Sequence, residues 1–328
     1  MKKLSTPRLS LLAASAALCA ALAAPAAAQD WPAAKPVKVV VNFPAGGAAD
    51  TLARAITQPL QEALGQTIVV ENRGGSGGNI GGDYVAKSDA DGYTLLMTSG
   101  GMVSVNPFIY SKMSFDPVKD LTPVAAAARV LVFLVTKPEF PANNAKEFFA
   151  YLKANPGKTT FGSPGNGSSP HLAGEMFKSM TGTYALHVPY RGAAPALVDL
   201  LGGQIQFNFD PGIGIPHVKA GRLKMLAVGS MERSPLFPDV PTLNEAGLKG
   251  FDADTVFGFY APTGTPKAVI DRLNREINKI LATPAVRERI ISIGGVPAPM
   301  TPAQFDAKAA EDAKRFGAII RERKISGD

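Results

Sequence analysis

The sequence predicts an α/β protein with two largely parallel β-sheets. From residue 37 onward, short apolar runs rich in β-branched residues alternate with glycine-rich turns and with segments whose apolar residues recur at helical spacing. This alternation is typical of α/β domains with parallel strands. The chain has 328 residues, 46% of them hydrophobic, which is enough for two domain cores. In such sheets the loops that follow the strands gather along one edge, where ligands bind.

The first three repeats precede residue 106. The strand VKVVVNF leads into a helix with Leu52, Ile56 and Leu60 on one face, which we expect to end near Gly65, with Pro59 kinking or shortening it. The strand QTIVVE leads to a helical segment DYVAK, and six glycines between residues 74 and 82 predict a pliable loop before it. The strand YTLLMT leads into SGGMVSV.

The same plan recurs three times in the middle of the chain, where the strands are TTFGS, ALHVPY and IQFNFD. Two other apolar runs, RVLVFLVTKPEFP and DTVFGFYAPTGTP, are closed by prolines, so we expect the chain to cross between two domains there. We therefore predict a discontinuous first domain of residues 31–129 plus 254–328, with residues 130–253 inserted as a second domain. Residues 265–294 predict two amphipathic helices that pack on the first domain.

The first 28 residues predict a cleaved signal peptide and a periplasmic protein. Lys2, Lys3 and Arg8 precede an Ala/Leu-rich run that ends in small residues at Ala26–Ala28. The run approaches the length of a transmembrane anchor, but its alanine content and Pro25 favour cleavage.

The composition excludes several classes of function. The single cysteine, Cys19, lies within the signal segment, so we expect a mature protein without a thiol for a disulfide, a nucleophile or a metal site. Cleavage removes three positive charges and no negative ones, which lowers the formal net charge from +7 to +4. This mild, dispersed positive charge does not indicate binding to nucleic acid.

No cofactor or metal is expected. The closest approach to a P-loop, LKANPGKTT, has Leu152 at the first glycine position, and GNGSSP has Pro170 where a dinucleotide motif needs its last glycine. The three histidines, at positions 171, 187 and 217, lack the spacing of metal ligands. His187 is interpreted as a hydrogen-bonded core residue and His217 as a solvated one.

A serine hydrolase is an alternative from another class. GGSGG at residues 74–78 satisfies G-x-S-x-G, and Asp210 and His217 follow in hydrolase order. A nucleophile elbow, however, is a sharp turn that feeds directly into a helix, which this glycine-rich stretch does not resemble. We expect no catalytic residue, and keep Ser76 and Ser163 as the nucleophiles to test.

The loop NFPAGGAAD, residues 42–50, predicts an anion-binding site. The first N–H groups of a helix have no partner within the helix, and the helix dipole adds partial positive charge there. Gly46 and Gly47 lack Cβ atoms, so an anion can approach these donors closely. Asp50 is interpreted as an N-cap or first-turn acid with its side chain turned onto the backbone.

A second loop of the same type, GSPGNGSSPH, spans residues 162–171. Its neutral donors are Ser163, Asn166, Ser168 and Ser169. His171, directly after this loop, is the histidine placed to contact a ligand. Arg191 would either pair with an acidic ligand, steer it, or remain a solvated surface residue.

Five segments resemble, in order, the motifs of the Bug family, the periplasmic solute-binding receptors of tripartite tricarboxylate transporters. They are FPAGGAADTLAR, VVENRGGSGGNIGGDYVAKSDADGYTLL, NPFIYSKMSFDPVKDLTPVA, HVPYRGAAPALVDLLGGQI and DVPTLNEAG. The resemblance implies a two-lobed, type II-like periplasmic-binding-protein fold with two crossing strands and a ligand cleft between the lobes. It also implies a monomer that passes a small organic carboxylate to a membrane permease without transforming it.

Motif matching implies ligand-binding residues in both lobes. In the first lobe these are Phe43, Ala45, Gly46, Gly47, Ala48, Ala49, Asp50, Asn79, Thr98, Ser99 and Gly100. In the second they are Ser163, Asn166, Gly167, Ser168, His171, Arg191, Gly192, Ala193 and Asp210. Aliphatic dicarboxylates, amino acids and aromatic acids all fit the family, and Phe43 and Phe209 would either stack on an aromatic ligand or belong to the core. A sensory receptor that contacts a kinase is an alternative to transport.

Overall fold

A computed structural model describes residues 31–327 of the chain. The predicted signal peptide, residues 1–28, lies outside the described residues. Within residues 31–327, none of the helices combines the length and the apolar character needed to cross a bilayer.

The fold is built on two β-sheets. The first contains β1 (Val37–Val41), β2 (Ile68–Asn72), β3 (Thr94–Ser99), β4 (Leu121–Val130), β10 (Thr255–Pro262) and β11 (Gly295–Pro297). The second contains β5 (Phe133–Thr136), β6 (Thr160–Ser163), β7 (Leu186–Pro189), β8 (Phe207–Asp210) and β9 (Lys224–Val228). The strand orders are β11-β4-β10-β3-β1-β2 and β7-β6-β8-β5-β9. Each sheet with its helices is called a lobe below, the six-stranded one being the first.

Helices connect the strands and cover the sheets. In the described chain they are α1 (Ala48–Leu64), α2 (Asn79–Ala86), α3 (Gly100–Ser104), α4 (Asn106–Ile109), α5 (Ala145–Ala154), α6 (Ser169–Thr181), α7 (Ala193–Leu201), α8 (Ile215–Lys219), α9 (Lys267–Ala282), α10 (Pro284–Ser292) and α11 (Pro302–Arg323). The strand–loop–helix repeats of the sequence are confirmed in both lobes.

The prediction of largely parallel sheets is wrong for part of each sheet. β1 runs parallel to β2 and β3, and β6 runs parallel to β7 and β8, as the repeats predict. β10 is antiparallel to β3 and β4, and β5 is antiparallel to β8 and β9. These antiparallel pairs arise because β4, β5 and β10 adjoin the crossings between the lobes, so no helical crossover within one sheet sets their direction.

The chain crosses between the sheets twice. The first crossing is Leu131–Val132, between β4 and β5, inside the run predicted for it. The return crossing lies at residues 253–254, so the second predicted run contains only the end of the crossing, Asp254, and then forms β10 within the first sheet. Gly229 joins the two crossings, because its N–H donates to Val132 O at 2.8 Å and its carbonyl accepts from Ala253 N at 2.9 Å.

Two predictions on local structure need correction. Helix α1 is not shortened by Pro59 but continues through it to Leu64, where Gly65 ends it in the left-handed conformation, as predicted. The glycine-rich stretch contains a 3-10 turn at Ser76–Gly78 and is not a loop beyond it, because Gly81 and Gly82 are inside α2. A Cβ built on Gly81 would lie 2.6 Å from Asn42 Cβ and 2.7 Å from Arg73 O. Gly81 therefore allows α2 to pack closely on the residues that follow β1 and β2.

Helices α9 and α10 pack on the first lobe, as predicted: α9 contacts β4 and α1, and α10 contacts β11 and α1. The C-terminal helix α11 was not predicted. It contacts β4, β10 and α3 of the first lobe and also reaches α6 of the second lobe.

Candidate functional site

The lobes touch where loops of each approach the other. A Cβ built on Gly192 of the second lobe would lie 3.5 Å from Pro44 Cγ of the first. Nearby, a Cβ on Gly167 would lie 2.2 Å from Ile109 Cδ1, so the 162–171 loop packs directly on α4. The two loops predicted to bind an anion are therefore both at the contact between the lobes.

The start of α1 carries free backbone donors. Gly47 is the N-cap residue, and no side chain bonds the first turn from that position. Among residues 31–327, the N–H groups of Ala48 and Ala49 have no hydrogen-bond partner, and both belong to the predicted loop. Gly46 has a φ of +79°, a conformation that glycine adopts without strain.

Asp50 holds this loop from inside. Its carboxylate accepts from Gly46 N at 3.0 Å, from Asn72 Nδ2 at 3.0 Å and from Arg54 Nε at 3.0 Å. Burial alone would raise the pKa of Asp50, but these hydrogen bonds hold it below its usual value. The prediction of a first-turn acid turned onto the backbone is confirmed, whereas the N-cap alternative is wrong because Gly47 has that position. Arg54 reduces the repulsion between Asp50 and an incoming anion.

The second-lobe loop is held by its own serines. Ser168 caps α6, accepting from His171 N at 3.4 Å, and donates to Gly165 O at 2.7 Å. Ser163 Oγ lies 2.6 Å from His187 Nε2 and accepts from Gly165 N at 3.2 Å. Asn166 is half-buried, and its side chain forms no hydrogen bond with the rest of the described chain. Of the four predicted donors, Asn166 and Ser169 have side chains without a hydrogen bond to the rest of residues 31–327, so both are left for a ligand.

His171 is engaged by the protein. Its Nδ1 accepts from Gly167 N at 3.0 Å, and its ring stacks on His187 with 3.9 Å between the ring centroids. Burial lowers the pKa of His171 to about 4 and that of His187 to about 3, so both are neutral at pH 7. The side chain of His171 also lines a cavity of about 420 Å³ together with Glu175 and Lys178.

The start of α7 faces the first lobe. Gly192, with a φ of +120°, is the N-cap residue and donates its N–H to Pro164 O at 3.2 Å. Ala193 N has no hydrogen-bond partner in the described part of the chain. Arg191 is exposed and forms no ion pair with another described residue, which leaves its guanidinium open to solvent at this contact.

Two further predicted ligand residues, Asp210 and Asn79, have hydrogen-bond partners within the protein. Asp210 Oδ1 accepts from the N–H groups of Gly212 and Gly214, both at 2.8 Å, and burial outweighs these bonds and raises the pKa of Asp210 to about 6. Asn79 Oδ1 accepts from Asn106 Nδ2 at 2.6 Å.

The segment between β3 and α3 lies deep in the first lobe. Thr98 is buried, and a Cβ on Gly100 would lie 2.8 Å from Val256 O, so Gly100 is required for packing. Ser99 is the N-cap residue of α3, and its side chain forms no capping bond. Phe209 is 1% exposed within the core of the second lobe, and Phe43 packs on the core of the first, which favours the core interpretation for both.

The hydrolase alternative finds little support in this geometry. Ser76 is exposed with a φ of +49°, and Asp210 is bonded to glycine amides, not to His217. Ser163 and His187 do form a close pair, but a general base works best with a pKa near the operating pH, and that of His187 is about 3. No carboxylate among residues 31–327 hydrogen-bonds to His187.

Comparison with known proteins identifies the family. A family model described as "Tripartite tricarboxylate transporter family receptor" matches residues 52–325. The chain belongs to this family. The receptor is 39% identical over 306 residues to the protein BugT of Bordetella pertussis, covering 92% of this chain and 93% of that one. It is 38% identical to a protein of Pseudomonas sp. strain P51 encoded between tcbD and tcbE, covering 90% of this chain and 88% of that one.

Solved structures share the fold of the receptor. The periplasmic binding protein BugD is 34% identical, with a TM-score of 0.82 over 89% of this chain and 99% of that one. Rpa4515 of R. palustris, solved with adipate, is 34% identical, with a TM-score of 0.87 over 90% of this chain and 99% of that one. MatC of Rhodopseudomonas palustris, solved with malate, is 32% identical, with a TM-score of 0.81 over 88% of this chain and 99% of that one. These matches confirm the predicted family and the two-lobed periplasmic-binding-protein fold. The receptor is a periplasmic solute-binding protein.

Some residues of the contact were missed by sequence reasoning. Pro44 was left out although it forms the contact with Gly192, and Asn72 and Arg54 were not recognised as partners of Asp50. Only the position of Pro44 inside the predicted loop gave a signal for it.

Proposed function

We propose that the receptor captures a small organic carboxylate between its lobes and delivers it to a tripartite tricarboxylate-type permease. The observation that carries the proposal is the contact of Pro44 with Gly192, which brings the starts of α1 and α7 to the same place. The partial positive charges of both helix starts then act on one anion. The structural neighbours solved with adipate and malate support this class of ligand.

Backbone amides supply the binding free energy in this proposal. The donors are the N–H groups of Ala48, Ala49 and Ala193, with the side chain of Asn166 in addition. A hydrogen bond to a charged group contributes about 1.5–3 kcal/mol. About four to six such bonds offset the ordering cost and leave about 8 kcal/mol, which corresponds to micromolar affinity.

A proline scan of the helix starts tests the proposal. Proline is well tolerated at the first helical position, where it removes one N–H and nothing else. Ala48→Pro and Ala193→Pro each delete one proposed donor, and Gly47 already has the extended conformation that a following proline requires. Lys267→Pro makes the same change at the start of α9, away from the contact between the lobes.

The readout is binding of adipate, malate, aspartate and benzoate, first by thermal shift and then by calorimetry. We expect at least one acid to raise the melting temperature of the wild type. The two loop variants should bind it about 10- to 150-fold more weakly, the cost of one hydrogen bond to a charged group. Lys267→Pro should bind like the wild type. Wild-type affinity in both loop variants would refute the proposed site.

We propose that the receptor has no catalytic activity. The low pKa of His187 and the absence of an assembled triad among the described residues support this. Hydrolysis of a panel of esters, lost in Ser163→Ala or Ser76→Ala, would overturn it.

Delivery to a permease is tested in cells. Deletion of the gene should abolish uptake of the radiolabelled acid identified above, and expression of the wild-type receptor should restore it. Intact uptake together with a lost transcriptional response to the acid would instead support a sensory role.

We also propose that residues 1–28 are removed on secretion and that the mature receptor is a periplasmic monomer. The membership of the two sheets supports the division into residues 31–129 plus 254–328 and 130–253 to within one residue, because Val130 still belongs to β4 of the first sheet. N-terminal sequencing and light scattering of the exported protein test the first two points.

A further inference from the structure

The C-terminal helix α11 forms a second contact between the lobes, separate from the Pro44–Gly192 contact. It packs on the first lobe and also meets α6, which lies on the second sheet against β6 and β8. An apolar cluster fills this contact, with members from both lobes: Val105, Ile109, Leu172, Phe316, Ile319 and Ile320.

One buried carboxylate crosses this contact. Glu175 of α6 has a side chain only 8% exposed, and its Oε2 accepts from Arg323 Nε of α11 at 3.1 Å. Its Oε1 accepts from Lys178 Nζ, one turn along α6, at 2.6 Å. Of the two cations, only Arg323 comes from the first lobe. Next to Glu175 and Arg323, Ser179 Oγ of α6 donates a hydrogen bond to Glu322 Oε1 of α11.

The same helix α6 starts at the 162–171 loop, whose Ser168 is its N-cap residue. A rotation of the second lobe that opens the cleft would move α6 relative to α11. The Glu175–Arg323 pair would then separate, although neither residue belongs to the loops proposed to contact the ligand.

We propose that the Glu175–Arg323 pair is a latch between α6 and α11 that holds the lobes closed and thereby sets ligand affinity without touching the ligand. Its effect on binding rests on the proposed function, whereas its effect on lobe closure does not. An interaction made in only one of two conformations shifts their equilibrium by its full free energy, and couplings of this kind typically change affinity by about 5- to 150-fold.

Arg323→Ala removes the latch with little risk to folding. Glu175 keeps Lys178 as its partner in this variant, so no buried carboxylate is left unpaired. Arg321→Ala is the matched control, because Arg321 lies in the same last turn of α11, is exposed, and has no ion pair within residues 31–327. Glu175→Gln and the double variant complete a mutant cycle.

A cross-link gives the opposite perturbation. The single cysteine of the chain lies in the segment proposed to be cleaved, so Ser179→Cys with Glu322→Cys introduces a unique thiol pair across the contact. A short bifunctional thiol reagent that joins the pair should hold the lobes together.

Small-angle scattering of the ligand-free proteins is the first readout. If the free wild type is mainly closed, we expect Arg323→Ala to have a larger radius of gyration than the wild type. If it is mainly open, we expect the bridged protein to have a smaller radius of gyration than the unbridged one. Equal radii in the wild type, Arg323→Ala and the bridged protein would show that the α6–α11 contact does not change on opening, and would overturn the latch.

Binding of adipate and malate is the second readout. We expect Arg323→Ala to bind about 5- to 150-fold more weakly than the wild type, through faster dissociation. Arg321→Ala should have wild-type affinity. The double variant Glu175→Gln/Arg323→Ala should bind about as weakly as Arg323→Ala alone. If the losses of binding free energy in Glu175→Gln and Arg323→Ala add fully in the double variant, the two residues do not act as a pair, and the latch is overturned. If neither acid binds the wild type, the proposed ligand class fails, while the scattering result still decides the latch.

Discussion

Pro44 of the first lobe lies against the backbone of Gly192 in the second, so closely that a Cβ added to Gly192 would come within 3.5 Å of Pro44 Cγ. Each residue belongs to a loop that starts a helix with unpaired N–H groups. A methyl group at position 192 would make an ordinary contact, whereas the branches of a larger side chain would push the loops apart.

Gly192→Val should therefore weaken ligand binding as well as the fold. The φ of +120° at Gly192 strains any other residue and should cost about 1–3 kcal/mol of unfolding free energy. In addition, we expect the affinity for the bound acid to fall by about tenfold or more because the loops no longer meet. Gly221→Val is the control, since Gly221 has a φ of +68° but nothing within 4 Å of its added Cβ. Calorimetry and thermal unfolding that show equal affinity in both variants would contradict the expectation.

Asp50→Asn should lower stability in a pH-dependent way. The pKa of Asp50 is held below its usual value, so the ionised form stabilises the fold above about pH 4, and this stabilisation is lost as the pH falls through the lowered pKa. We expect Asp50→Asn to cost about 1.5–3 kcal/mol at pH 7, the contribution of hydrogen bonds to a buried charge. Urea unfolding at pH 7 and pH 3 should show the difference from the wild type shrinking at the lower pH. Asp271→Asn, at an exposed ion pair on α9, should show little effect at either pH.

The strand–loop–helix plan could be predicted because its signals are local. β-Branched runs, glycine turns and apolar residues at helical spacing act within a few residues, and the start of α1 at the 42–50 loop followed from them. The direction of β10 could not be predicted, since it depends on how the two sheets are joined.

The predicted site shows the same limit. Gly46 and Asp50 interact over four residues, and their roles could be inferred from the sequence. Pro44 and Gly192 are 148 positions apart in the sequence, and no local pattern predicts that these two residues meet. For His171, the place after a glycine-rich loop predicts ligand contact, whereas the hydrogen bond that its Nδ1 accepts from Gly167 N could not be inferred from the sequence.

Two helical glycines should respond oppositely to alanine. A Cβ on Gly81 would lie 2.7 Å from Arg73 O, which is backbone, so Gly81→Ala should destabilise the protein by about 1–3 kcal/mol through overpacking. A Cβ on Gly317 in α11 would meet only the end of Arg321 at 3.3 Å and Phe108 at 3.7 Å. Gly317→Ala should therefore stabilise the protein by about 0.5–1 kcal/mol through helix propensity. Denaturant unfolding of both variants measures the two signs, and destabilisation by Gly317→Ala would contradict this account.

A carboxyl group at the return crossing should make the receptor less stable at high pH. The Asp254 side chain is 3% exposed, with Arg129 Nε at 3.3 Å and Arg315 Nη1 at 3.9 Å. Asp252 lies close to it, so the negative charge of Asp252 opposes ionisation of Asp254. Burial, and then repulsion from Asp252, raise the pKa of Asp254 to about 8 against the opposing effect of both arginines.

Because this pKa is raised, the folded state holds a proton that the unfolded state releases near pH 4. The resulting stability is fully present below about pH 4 and is lost as the pH rises through about 8. Asp254→Asn removes this loss, and since each pKa unit is worth about 1.4 kcal/mol, we expect the variant to exceed the wild type by at least that amount at pH 9. Urea unfolding at pH 5, 7 and 9 should show a falling stability for the wild type and a flatter profile for Asp254→Asn. The exposed Asp239→Asn should follow the wild type, and a variant profile as steep as that of the wild type would show that Asp254 is ionised in the folded receptor.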